Sequence, residues 1–149
     1  MSTYFQKFAS FTGQIIQYGC ILHCTVNYLG ELVMCQGPSM EPTLFSDDVI
    51  FTEHITPTIN KVSRGDIVIA KCPSNPQQNI CKRVVALQGD KIRTGFTSHI
   101  VPIGHVWLEG DNSTNSCDSR NYGPVPLGLI KSRAVLKIWP FKNMMFLTD

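Results

Sequence analysis

The sequence has no run of basic residues, no CxxC pair and no His/Cys cluster at zinc-ligand spacing. Basic residues exceed acidic ones by two charges only. Nucleic acid needs a basic stripe, so it is not an expected partner. The six cysteines, at positions 20, 24, 35, 72, 81 and 117, fit no metal-ligand pattern, so no metal site and no cofactor are expected. Spacing does not pair them, and it fixes no redox compartment. Repeats and low-complexity tracts are also missing, and apolar content is ordinary for one folded domain.

One further absence is positional. No Asp, Glu, Lys or Arg falls between Lys7 and Glu31. The 23 uncharged residues from Phe8 to Gly30 span about 34 Å as a helix, enough to cross a bilayer. Gly13, Gln17, Cys20, Cys24 and Asn27 recur at spacings of 4, 3, 4 and 3, which is one helical face. Ile15, Ile16, Ile21, Leu22, Val26 and Leu29 fall mostly elsewhere. In lipid, a stripe of small and polar residues is where another helix packs. The expectation is an N-terminal tail at 1–7, a transmembrane anchor at 8–32 paired with a partner's helix, and a separate folded domain at 33–149. Lys7 and the amino terminus put positive charge on the side of synthesis or the matrix. A core helix and a cleaved signal peptide are the alternatives.

From Cys35 onward the chain reads as short strands broken by Gly, Pro, Asn and Asp. Strands are expected at 48–52, 66–70, 80–87, 105–109 and 134–139. Gln88-Gly89-Asp90 reads as a hairpin turn into 91–93, 71–79 as a loop, and 111–126 as a long polar loop. No long helical periodicity follows residue 35, so the fold class is mainly β.

Three segments could carry chemistry. In Cys35-Gln36-Gly37-Pro38-Ser39-Met40-Glu41-Pro42-Thr43, Gly37 and Pro38 fix an irregular backbone before Ser39, and Pro42 stops a regular element after it. Such a turn exposes a hydroxyl and its backbone N–H, although a Gly-Pro-Ser is more often only a turn. Met40 is expected to dip toward the bilayer. In Ile80-Cys81-Lys82-Arg83-Val84-Val85, period-two alternation puts Lys82 on one face with Ile80 and Val84. That makes it an edge-strand charge or a buried amine. A buried amine loses its proton readily and can take one from a serine hydroxyl. The third segment, Gly110 to Arg120, concentrates hydroxyl, amide and carboxylate groups. It is either a solvated loop or a positioning one, and Asp118 and Arg120 could pair within it.

Together these segments resemble the signal peptidase I family. Gly37 to Thr43, Arg64 to Val68, Lys82 to Val85 with Gly89-Asp90, and Gly110 to Pro124 follow one another in the family's order. Within it, Cys35-Gln36-Gly37-Pro38-Ser39-Met40 and His105 to Asn112 are most similar to the mitochondrial inner membrane branch. The resemblance implies a β-rich serine endopeptidase with Ser39 as nucleophile and Lys82 as general base. It implies that Ser116 hydrogen-bonds the lysine and that Asp118 and Arg120 form a structural ion pair. It further implies a location at the inner membrane facing the intermembrane space, a homologous second subunit, and precursor proteins with sorting signals as substrates. Two positions depart from the family. Gly37 stands where many bacterial members carry a serine whose hydroxyl completes the oxyanion hole, and Gln88 stands where proline is common. A bacterial-type signal peptidase, a non-catalytic stabilising subunit and a Ser–His site using His54, His99 or His105 are the competing readings. Glu41, Phe45 and the 66–70 strand are the candidates for lining the substrate cleft.

Overall fold

The computed structural model describes residues 2–25, 29–95 and 97–148, and in the first of these segments the side chains of residues 7 and 10–25. Asn27 and Val26, part of the expected helix pattern, lie outside the described residues. The first helix, α1, is Ser2–Cys24, so it takes in most of the expected tail. Its apolar side chains from Phe11 to Leu22 are more than half exposed. No helix among the described residues is long and apolar enough to cross a membrane, and Gln14, Gln17 and His23 are the polar interruptions in this one.

Strand β1 follows at Gly30–Met34, so the chain is already in the sheet before the expected end of the anchor at residue 32. The other strands are β2 (Val49–Glu53), β3 (Ile67–Cys72), β4 (Asn75–Ala86), β5 (Lys91–Thr94), β6 (Thr97–Ile100), β7 (His105–Glu109), β8 (Val125–Pro126), β9 (Ile130–Trp139) and β10 (Met145–Phe146). The short helices are α2 (Ile55–Thr58) and α3 (Ser119–Tyr122). The mainly β expectation holds. An eight-stranded antiparallel sheet runs in the order β1-β2-β9-β3-β4-β7-β8, with β10 on β9. Strand β9 is long enough to serve three neighbours, its first half on β3 and its second on β2 and β10.

Two expectations fail. The 71–79 loop is instead a tight β3–β4 hairpin, because a register shift between Lys71 and Cys72 takes Pro76 out of the ladder. The turn at 88–90 forms, with the Leu87 N–H on Asp90 Oδ2 at 2.7 Å, but β5 then pairs with β6 and not with β4. Gln88 does more than turn the chain: its Oε1 accepts the Gly104 N–H at 3.0 Å.

Strand β3 is apolar on both faces and divides the core. Ile67 and Ile69 pack with Cys35, Met40, Leu44 and Ile50. Val68 and Ala70 pack with Val84, Val106, Leu108 and Val125. Met40 is thus a core residue, 3% exposed, and does not reach outward. A buried ion pair lies beneath the turn that follows: Lys137 Nζ meets Asp48 Oδ2 at 2.5 Å, and Asp48 also accepts the Phe45 N–H at 2.8 Å.

Candidate active site

Ser39 sits in a single 3-10 turn, Pro38–Met40. Gly37 enters it at φ 87°, a backbone state that a side chain disfavours. The first amides of such a turn have no partner inside it, which leaves the Ser39 N–H without one within the turn. Leu44 N–H on the Met40 carbonyl at 2.9 Å and Asn112 N–H on the Ser39 carbonyl at 3.1 Å fix the turn from below and from the 110s loop.

Lys82 comes from the middle of β4. It is opposite Val68 in the ladder, and its face continues through Val84, so it is surrounded by apolar side chains. It is 4% exposed, and β4 lies between β3 and β7. The edge-strand reading is therefore excluded. Its Nζ lies 2.7 Å from Ser39 Oγ. Burial lowers the amine's pKa, partly offset by the Asp118 carboxylate nearby. A neutral amine at that distance can accept the serine proton.

Asp118 organises the third segment. Its side chain is fully buried. It accepts from Ser116 Oγ (2.6 Å), the Gly110 N–H (2.9 Å), and Arg120 Nε (2.8 Å) and Nη2 (2.6 Å). Burial pushes this carboxyl up, but the Arg120, Gly110 and Ser116 donors outweigh it and hold it at about 2. The Asp118–Arg120 pair is present as expected. The Ser116–lysine bond is not: the Ser116 hydroxyl donates to Asp118, a desolvated carboxylate and so the strongest acceptor nearby.

Two features escaped the sequence reading. Arg83 grips Asp111 fork to fork, and Thr43 Oγ1 donates to the same carboxylate at 2.6 Å. Alternation could have signalled this, because Arg83 must face away from Lys82. Gly110 is the second. A Cβ there would overlap Ser116 Oγ and the Ser39 carbonyl oxygen. Only glycine lets the 110s loop approach the serine turn so closely.

A cleft of about 330 Å³ opens onto Ser39 and Lys82. Gly37, Gln36, Gln78 and Asn79 are among its walls. Ile69 lines a neighbouring cavity; Glu41 and Phe45 line neither. The three histidines are engaged elsewhere: His54 on the Lys131 carbonyl at 3.0 Å, His105 on that of Ile103 at 3.0 Å, and His99 stacked on Trp107. Among the described residues no group of His, Cys, Asp and Glu could hold a metal ion.

A serine hydroxyl against a buried amine, beside a buried carboxylate network, is the arrangement of a Ser–Lys hydrolase. The model of the family described as signal peptidase, peptidase S26, matches residues 8–95 and 92–139. The chain belongs to that family of serine endopeptidases. It is 55% identical over 143 residues to the mitochondrial inner membrane protease subunit 1 of Mus musculus, covering 92% of this chain and 86% of that protein. The subunit 1 of Homo sapiens is 57% identical, covering 91% and 85%. The mitochondrial inner membrane protease subunit 2 of Mus musculus is 44% identical, covering 70% and 65%. These relatives assign the chain to the mitochondrial inner membrane as a peptidase of the signal-peptidase type.

Proposed function

We propose that Ser39 is the nucleophile and Lys82 the general base of an endopeptidase that removes sorting sequences from precursor proteins in the intermembrane space. The observation that carries this is the 2.7 Å approach of Lys82 Nζ to Ser39 Oγ, with Lys82 only 4% exposed. The neutral amine takes the hydroxyl proton as Oγ attacks the scissile carbonyl. The tetrahedral oxyanion forms beside the Ser39 N–H. The ammonium then returns its proton to the leaving amine, and the acyl-enzyme is hydrolysed by a water activated in the same way. With Gly37 two residues before Ser39, no serine hydroxyl from that position assists, so the oxyanion hole is mostly backbone.

Asp118, Ser116 and Arg120 position the loop against the serine turn and do not transfer protons. The charge-free segment from Phe8 up to the start of β1 is the membrane anchor in this reading. Gln17, Cys20 and Cys24 on α1 face a helix of a homologous second subunit, while lipid covers the apolar side chains on its other faces. The relatives include both a subunit 1 and a subunit 2, in keeping with a hetero-oligomer.

Ser39→Ala and Lys82→Met, each reconstituted with the second subunit, test the assignment on precursor processing. Both variants are expected to lose cleavage while binding the partner normally. Cleavage by either at the wild-type rate refutes the dyad and favours a stabilising role for the chain.

A further inference from the structure

Four of the chain's six cysteines meet at the cleft: Cys35, Cys72, Cys81 and Cys117 all line it. The dyad chemistry uses none of them. Two are placed against the proposed catalytic groups. Cys35 lies four residues before Ser39, joined to it by the Gly37–Pro38 turn, and Cys81 immediately precedes Lys82. Both are free thiols. They pack into the same side of the core, where Cys81 sits against the cluster that contains Cys35. Both also line the adjoining cavity of about 470 Å³, so the pair is reached from either opening. The two side chains are neighbours in that cluster. This contact draws the Cys35 thiol down and, with burial, pushes the Cys81 thiol up. Cys35 is therefore the better nucleophile and Cys81 the S–H donor beside it.

We propose that Cys35 and Cys81 are a redox pair on the cleft floor, oxidised by hydroperoxides to a disulfide that inactivates the peptidase. The inactivation rests on the Ser39–Lys82 reading; the disulfide does not. In the first step the Cys35 thiolate attacks one peroxide oxygen and the O–O bond breaks. With hydrogen peroxide, hydroxide leaves and becomes water on protonation, and Cys35 becomes a sulfenic acid. In the second, the Cys81 sulfur attacks the Cys35 sulfur. The S–O bond breaks as the S–S bond forms, and the departing hydroxide takes the Cys81 proton as water. Two thiols and one peroxide thus give one disulfide and two waters. A small oxidant suits the site, since Cys35 is only 8% exposed. Dithiols reverse the change by thiol–disulfide exchange.

The closed bond draws the segment before the serine turn toward the strand of the lysine. A disulfide holds its sulfurs about 2.0 Å apart, much closer than two thiols in contact. Because Ser39 follows Cys35 by four residues and Lys82 follows Cys81 directly, Oγ and Nζ shift relative to each other. A misplacement of about 1 Å costs on the order of 10²-fold in rate.

The test uses the reduced full-length chain with its partner, titrated with hydrogen peroxide. Precursor processing is followed alongside a mass-spectrometric map of non-reduced peptides, fragmented to assign each sulfur. The expected result is a fall of about 10²-fold that dithiothreitol reverses, in step with the growth of a Cys35–Cys81 crosslink. In Cys35→Ser and Cys81→Ser, each compared with its own reduced form, the reversible loss disappears. A Cys72–Cys117 link tracking the loss, or a Cys35–Cys81 link with processing unchanged, overturns the proposal. So does the absence of any Cys35–Cys81 crosslink in the wild-type map when other thiols are oxidised, a result that leaves the dyad assignment intact. Conversely, active Ser39→Ala would refute the dyad while the peptide map still stood.

Discussion

Arg83 and Asp111 meet through two parallel hydrogen bonds, Nε to Oδ1 at 2.8 Å and Nη2 to Oδ2 at 2.7 Å. Through this pair one carboxylate ties the lysine strand to the 110s loop, and Thr43 Oγ1 brings in the segment after Ser39. Arg83 Nη1 adds the Gly65 carbonyl at 2.8 Å. Four chain segments are therefore held in register from the back of the dyad. Lysine cannot reproduce the fork. Arg83→Lys is expected to lower kcat by about tenfold or more, because the Ser39–Lys82 distance is no longer fixed. KM is expected to move less, since the arginine does not line the cleft. Steady-state kinetics on a precursor peptide checks the split; equal losses in kcat and 1/KM would refute a positioning role.

The lysine's burial sets a pH signature. Its pKa is lowered by desolvation, and the base acts only when neutral. Activity is therefore expected to rise with pH through a midpoint below 10.5, the ordinary lysine value. The profile of kcat/KM reports that free-enzyme midpoint. The same shift bears on stability. Between the folded and unfolded pKa values the unfolded chain binds more protons, so this site favours folding increasingly as pH rises there. A rising limb at or above the ordinary lysine range would contradict a desolvated base.

Much of this site was legible in the sequence, and the reasons it was not wholly legible are physical. Alternation put Lys82 on an apolar face, but whether β4 lies at an edge depends on β7 pairing from Arg83 onward, a contact some 26 residues away in the chain. The Asp118–Arg120 pair is local and could be read. The destination of the Ser116 hydroxyl could not, because it is decided by how deeply Asp118 is buried. The start of β1 was hidden for a similar reason. Charge-free sequence runs through Gly30, yet Gly30 pairs with Glu53 in the sheet, and its bare Cα is what lets Thr52 approach. Pro76 suggested a loop; a bulge absorbed it within a strand.

Gly110→Ala is the sharpest steric probe. The added methyl would overlap Ser116 Oγ and the Ser39 carbonyl, and backbone cannot yield as a flexible side chain does. The loop must retreat, and with it the Asn112 N–H that holds the Ser39 carbonyl at 3.1 Å. Processing is expected to fall by about 10²-fold, with a stability loss of about 1–3 kcal/mol from overpacking. Thermal unfolding and kinetics measured together separate the two effects. A variant with unaltered activity would mean that the loop and the serine turn are not in contact.

Asp118 couples stability and catalysis with opposite visibility. Its carboxyl is held at about 2 in the folded chain, against an ordinary value near 3.8. For a depressed carboxylate the stabilisation is complete above the unfolded value and is lost as pH falls through the folded one. Its contribution should therefore fade between about pH 4 and pH 2. Asp118→Asn removes a buried charge from Arg120 and one acceptor from the Ser116 and Gly110 donors, a loss of about 3 kcal/mol near neutral pH. Chemical denaturation at several pH values should show wild type and variant converging toward acid. Asp118 also favours the protonated form of Lys82 by its charge. The variant's rising kcat/KM limb is therefore expected at lower pH than that of wild type. A purely structural aspartate would lower the melting temperature and leave that midpoint where it was, so the direction of the shift decides between the two.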